Sequence, residues 1–180
     1  MIQNRATIIG SGAITKTAPY IFEHSFGLNY AAIKYKTKYA VAGHDVVINL
    51  YRENKISFIG VLPTFDLAIF PIACIDYIKN DTTASRNNDW TDDDVRFYIK
   101  AATQNKDIGY PNMLTILHLA IYFCIKNKYT IIDLFGCQNN YDEVETSHAY
   151  DKEAAPLMRK YTDAMVRIAP EFGILINWHK

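Results

Sequence analysis

The chain has 180 residues, of which 49% are hydrophobic and 21% charged. That profile excludes a disordered segment, and the length suits one domain with a real core. Lysine plus arginine and aspartate plus glutamate each number 19, so no global field draws the chain to nucleic acid or to an anionic membrane. Three cysteines, Cys74, Cys124 and Cys137, form no CxxC pair and read as reduced thiols, which predicts a cytoplasmic protein. The opening MIQNRATIIG is too short an apolar run for a signal peptide, and no stretch approaches the ~20 apolar residues of a membrane span.

In chain order, Ala6 to Ile9 is a short apolar run that stops at Gly10-Ser11-Gly12. A buried strand, a glycine-rich turn and a helix start is the layout that lets backbone N–H groups face a phosphate. Thr15 or Thr17 is expected to cap that helix, with Pro19 in its first turn. A dinucleotide fingerprint needs a third glycine where Thr15 stands and an acid about 20 residues on. Asn29 to Lys38 contain no acid, so ordinary NAD binding fits poorly, and a nucleotide-phosphate turn or a plain tight turn is left.

Leu28 to Tyr35 and Tyr39 to Leu50, rich in tyrosine and branched residues, read as strands, the second interrupted at Gly43-His44-Asp45. Asp45 is either a turn aspartate or a polar contact to a bound nucleotide. Lys55 to Val61 and Phe65 to Phe70 are further strand candidates. From Lys79 to Asp94 the composition turns polar, which suits a lid or a mobile connection. Asp92-Asp93-Asp94 follow Thr91 and precede an apolar pattern, the signature of a capped helix whose dipole favours early carboxylates. Adjacent aspartates point in different directions, so no metal is assigned to them.

The stretch from Tyr110 to Tyr150 carries the candidate site. A helix from Met113 to Lys126 is expected, with Asn112 at its start, His118 as a core or flank histidine, and a polar turn after it. Ile131 to Phe135 then reads as a buried strand ended by Gly136, followed by a polar segment with Gln138, Asn140, Tyr141, His148 and Tyr150. In open α/β sheets, ligands sit just beyond the carboxyl ends of strands. An amphipathic helix from Ala154 to Ala169 and a final strand from Gly173 to Asn177 close the chain. This order predicts a single-domain α/β fold, Rossmann-like and doubly wound, with a mainly parallel sheet.

The GSG turn after the first strand, the IIDLFGCQ strand end, the Ser147-His148-Ala149-Tyr150 element, the long helix and the terminal GILI strand together resemble a group of Rossmann-like glycosyltransferases. These are the bacterial sialyltransferase-like enzymes and the related motility accessory factor-like proteins. The resemblance implies a nucleotide-sugar donor at Gly10, Gly12 and Gly136, an acceptor hydroxyl, and a histidine general base carried onto His148; Ser11 joins the donor site as part of the same turn, and Asp45 is the next candidate base if His148 is a phosphate contact instead. The acceptor can be a glycan, a protein, a small molecule or a modified DNA base. Such a base works at neutral pH because histidine titrates near 6.5. Asn112, Gln138, Asn140, Tyr141 and Tyr150 are suited to hold the donor and its leaving phosphate without an obligatory metal cofactor. Gln138 stands where the group has an aspartate, and Tyr110-Pro111-Asn112 replaces its Ser-Thr-Gly turn. Two alternatives stay open: a diphosphate-transfer enzyme of the same group using Mg²⁺, and a nucleotide-binding module without catalysis.

Overall fold

The apolar runs become strands of one sheet. The computed structural model describes residues 4–12, 24–42, 49–50, 53–54, 57–61, 74–78, 90–105, 116–137 and 149–179. Its strands are β1 Arg5–Ile9, β2 Ser25–Leu28, β3 Tyr39–Ala42, β4 Ser57–Val61, β5 Cys74–Ile78, β6 Ile131–Phe135 and β7 Leu175–His179. They lie in the order β5-β4-β3-β2-β1-β6-β7, every neighbouring pair parallel. Four helices accompany them among the described residues: α1 Ala31–Tyr35, α2 Asp92–Thr103, α3 Ile116–Lys126 and α4 Ala149–Ile168, the last running into a 3-10 turn at Ala169–Phe172.

The expected doubly wound parallel sheet is therefore present. The chain steps outward from β1 to β5, returns to place β6 on the other side of β1, and ends outward at β7. Right-handed crossovers put the two directions of winding on opposite faces. The point of reversal lies between β1 and β6.

Alternation along the strands sorts the two faces. Ala6, Ile8, Phe26, Leu28, Val41, Ile132, Leu134 and Ile176 enter one buried cluster with Val95, Tyr98 and Ile99 of α2, Leu117, Ile121 and Ile125 of α3, and Met165 and Ile168 of α4. Arg5, Thr7, Asp133, Phe135, Asn177 and His179 take the intervening positions in register, and so share the opposite face. In the helical layer, Tyr98 and Tyr122 meet at 4.7 Å between centroids, and Trp90 packs on both Tyr98 and Tyr161.

Several elements differ from their sequence reading. Leu28 to Tyr35 is not a strand: the strand is Ser25–Leu28, and Asn29, at φ 48°, turns the chain into α1. Asparagine tolerates that left-handed conformation, and Ala31 and Ala32 are small enough to be buried at the start of the helix. The strand from Tyr39 ends at Ala42, and residues 49–50 are helical. A strand forms at Cys74–Ile78, where none was read, while Phe65 to Phe70 lies outside the described residues. The last helix begins earlier, at Ala149, and takes Pro156 within it. The final strand begins two residues later, at Leu175, because Gly173 at φ 73° closes the preceding turn.

The aspartate triplet behaves as a cap. The Thr91 hydroxyl accepts the Asp94 N–H while the Asp94 carboxylate accepts the Thr91 N–H, a capping box. Asp92 instead binds Arg167 and Asp93 binds Arg96, so the three carboxylates face three partners.

His118 is a core residue. It is 2% exposed, its Nε2 stands 3.2 Å from Thr162 Oγ1, and burial pushes its pKa down to about 4. The unfolded chain, titrating near 6.5, binds the proton first, so this residue penalises folding only in acid. Stability should be full above about pH 6.5 and fall toward pH 4 at up to about 1.4 kcal/mol per pH unit. Urea midpoints of the wild type and His118→Gln between pH 4 and 7 should show a shallower slope in the variant.

Candidate functional site

The carboxyl ends of β1 and β6 are sewn together by backbone hydrogen bonds, with the Cys137 thiol also reaching the Ile8 carbonyl at 4.0 Å. Gly10 N–H donates to the Phe135 carbonyl at 2.8 Å and Gly12 N–H to the Gly136 carbonyl at 2.9 Å. A Cβ on Gly10 would lie 2.3 Å from the Gly136 oxygen. One on Gly136 would lie 2.8 Å from the oxygens of both Gly10 and Gly12, and Gly136 holds φ 61° besides. Both positions therefore demand glycine. Gly10 to Gly12 and Gly136 to Asn140 are expected from the sequence to approach one another across a single crevice, and Gly10 and Gly12 do meet Gly136 at the point where the strand order reverses, while residues 138–140 lie outside the described residues. In open α/β sheets that point opens into a ligand crevice.

Two of the three turn amides are donated inward to β6, which leaves Ser11, exposed at the tip, as the outward-facing residue of the turn. Cys137 lies beneath it. Its Sγ donates to the Phe135 carbonyl at 3.2 Å, and burial pushes the thiol up to about 12. A thiol so held fills space and is no nucleophile at neutral pH.

Of the other residues read as site candidates, Tyr150 falls in the first turn of α4. Asp45, Asn112, Gln138, Asn140, Tyr141 and His148 lie outside the described residues. Asn29 was not singled out, yet it stands at the carboxyl end of β2 beside β1, its N–H donated to the Val41 carbonyl at 2.9 Å. An asparagine directly after an apolar run was the signal for it.

A second group was missed altogether. Asp133, in the middle of β6, has a side chain only 1% exposed. Arg5 of β1 donates to it from Nε at 2.5 Å and from Nη2 at 3.2 Å, Asn177 of β7 from Nδ2 at 2.9 Å, and His179 stands 3.2 Å away through Nε2. Burial alone would raise the carboxyl pKa, but the bonds from Arg5, Asn177 and His179 outweigh it and hold Asp133 below the usual carboxylate range. Its contribution to stability is present above that range and is lost as pH falls through the folded value. The signal was an aspartate inside the apolar run IIDLF, since a charge there must find partners.

The fold and the glycine-sewn reversal define an open, doubly wound, Rossmann-like α/β protein whose strand order reverses between β1 and β6. No protein-family model, no curated protein and no solved structure matches the chain. No helix among the described residues is long and apolar enough to cross a membrane.

Two outcomes follow from this geometry. Gly136→Ala must push back two carbonyl oxygens and hold a strained φ, which should cost roughly 1–3 kcal/mol, read as a lowered urea midpoint. Arg5→Met leaves the buried carboxylate short of two donors and should cost a similar ~1–3 kcal/mol, with acid denaturation beginning at higher pH than in the wild type.

Proposed function

We propose that the chain binds a nucleotide sugar at the β1–β6 crevice and transfers the sugar to an acceptor hydroxyl. The observation that carries this reading is the contact of Gly10 and Gly12 with the end of β6 at the reversal of strand order. The Gly10 and Gly12 amides are already donated to Phe135 and Gly136, so a ligand's phosphate at the reversal would meet the exposed tip of the turn, where Ser11 offers a hydroxyl. The absence of an acid between Asn29 and Lys38 argues against an NAD-type ribose contact. The sugar and its transfer come from the resemblance around Gly136 and Ser147 to Tyr150, which also puts the base on His148.

Thermal unfolding with CMP, UDP and GDP sugars, each with and without Mg²⁺, tests the reading. A ligand of the native state stabilises by mass action, about 2.7 kcal/mol at a hundredfold excess over Kd. One donor class should raise Tm saturably in the wild type and fail to do so in Gly136→Ala at a temperature where that variant is folded. Equal rises in both chains would remove the ligand from the crevice. A rise that appears only with Mg²⁺ would favour the diphosphate-transfer chemistry instead.

A further inference from the structure

A carboxylate in the middle of an apolar strand needs partners, and Asp133 has enough without histidine. Arg5 supplies two N–H bonds and a cation, and Asn177 supplies a third bond. His179 is present in addition. Because an ionised carboxylate only accepts hydrogen bonds, the Nε2 that faces it at 3.2 Å carries a proton, which leaves Nδ1 as the ring's second nitrogen, away from that carboxylate. The ring lies flat on Phe135, with centroids 4.2 Å and planes 6° apart. The ring is thus held at Nε2 and through its face.

The position of this ring matters as much as its partners. His179 ends β7, directly opposite Phe135, and Phe135 is the residue before Gly136. One strand spacing of about 5 Å separates it from the β6 wall of the crevice. Its side chain is 31% exposed while Asp133 behind it is 1% exposed. A buried carboxylate holding one nitrogen of a partly exposed imidazole is the arrangement that readies the other nitrogen for a proton.

We propose that His179 Nδ1 takes the proton of the acceptor hydroxyl in the transfer reaction, with Asp133 as its positioning residue. This assignment rests on the reading of the crevice as a nucleotide-sugar site, and it moves to His179 the role that the resemblance gave to His148. In the step, the acceptor oxygen bonds to the anomeric carbon. The bond from that carbon to the phosphate oxygen breaks, its electron pair leaving with the phosphate, and the acceptor proton passes to Nδ1. The imidazolium that forms stands against the Asp133 carboxylate, so charge develops where an opposite charge already waits.

The test uses water as the acceptor, reading nucleotide release from CMP, UDP and GDP sugars alongside the nucleotide-induced rise in Tm. His179→Asn should lose about 10²–10⁴-fold in turnover and keep the Tm rise, since a proton acceptor acts in the transition state. Added imidazole should restore turnover to His179→Gly, which a merely structural tie between strands would not allow. Asp133→Asn should displace the acid limb of the rate–pH profile; Asp133 and, through it, Arg5 are the charged groups described around the ring. Unchanged turnover in His179→Asn, loss of its Tm rise, or failure of imidazole rescue would each overturn the assignment while leaving the crevice reading intact. A wild type that neither releases nucleotide nor shifts its Tm with any donor would overturn the crevice reading, and the histidine's role with it.

Discussion

Two backbone hydrogen bonds between glycine segments hold the halves of this protein in relation to each other. The β1–β6 register runs from Arg5 opposite Ile131 to Ile9 opposite Phe135. It then continues past both strands, because Gly10 and Gly12 keep donating to Phe135 and Gly136. Here no side chain fits, so the outward windings toward β5 and toward β7 diverge from a fixed seam. Any ligand entering between them meets main chain first.

How much of this was legible depended on whether the signal was local. β1, β6 and the helices α3 and α4 announce themselves by dense apolar runs punctuated by glycine, and their order along the chain already implied a parallel sheet. Leu28 to Tyr35 misled because tyrosine and isoleucine favour strands, whereas the turn at Asn29 and the small Ala31 and Ala32 decide for a helix against β2. The approach of Gly10 and Gly12 to Gly136 was legible too, because two strand-end glycine turns in a parallel α/β order are expected to meet across one crevice. Asp133 is the clearest failure. Its partners lie 128, 44 and 46 residues away, at Arg5, Asn177 and His179, and nothing short of the topology brings them together.

The charged residues are used in two different ways. On the outer surface, Arg96 joins Asp93 and Glu171, and Arg167 joins Asp92, which ties the start of α2 to the end of α4. Each of these exposed pairs is screened by solvent and contributes little by itself, while Trp90, Tyr98, Tyr122 and Tyr161 pack on one another within the layer. Asp133 is different in kind. Burying it carries a desolvation penalty that an apolar residue of similar size would avoid. With Arg5, Asn177 and His179 in place that penalty is offset by donors from β1 and β7, so removing any one of them takes a partner from a buried charge.

The buried thiols give the protein an internal clock. Cys124 is sealed in α3 against the sheet and Cys137 under the glycine seam, and burial raises both thiols away from the reactive thiolate. Alkylating reagents can reach either sulfur only when its surroundings open. The labelling rate at Cys124 therefore measures the opening of the helical layer, and the rate at Cys137 measures the parting of β1 from β6. One folded chain thus carries separate chemical reporters for its core and for its seam.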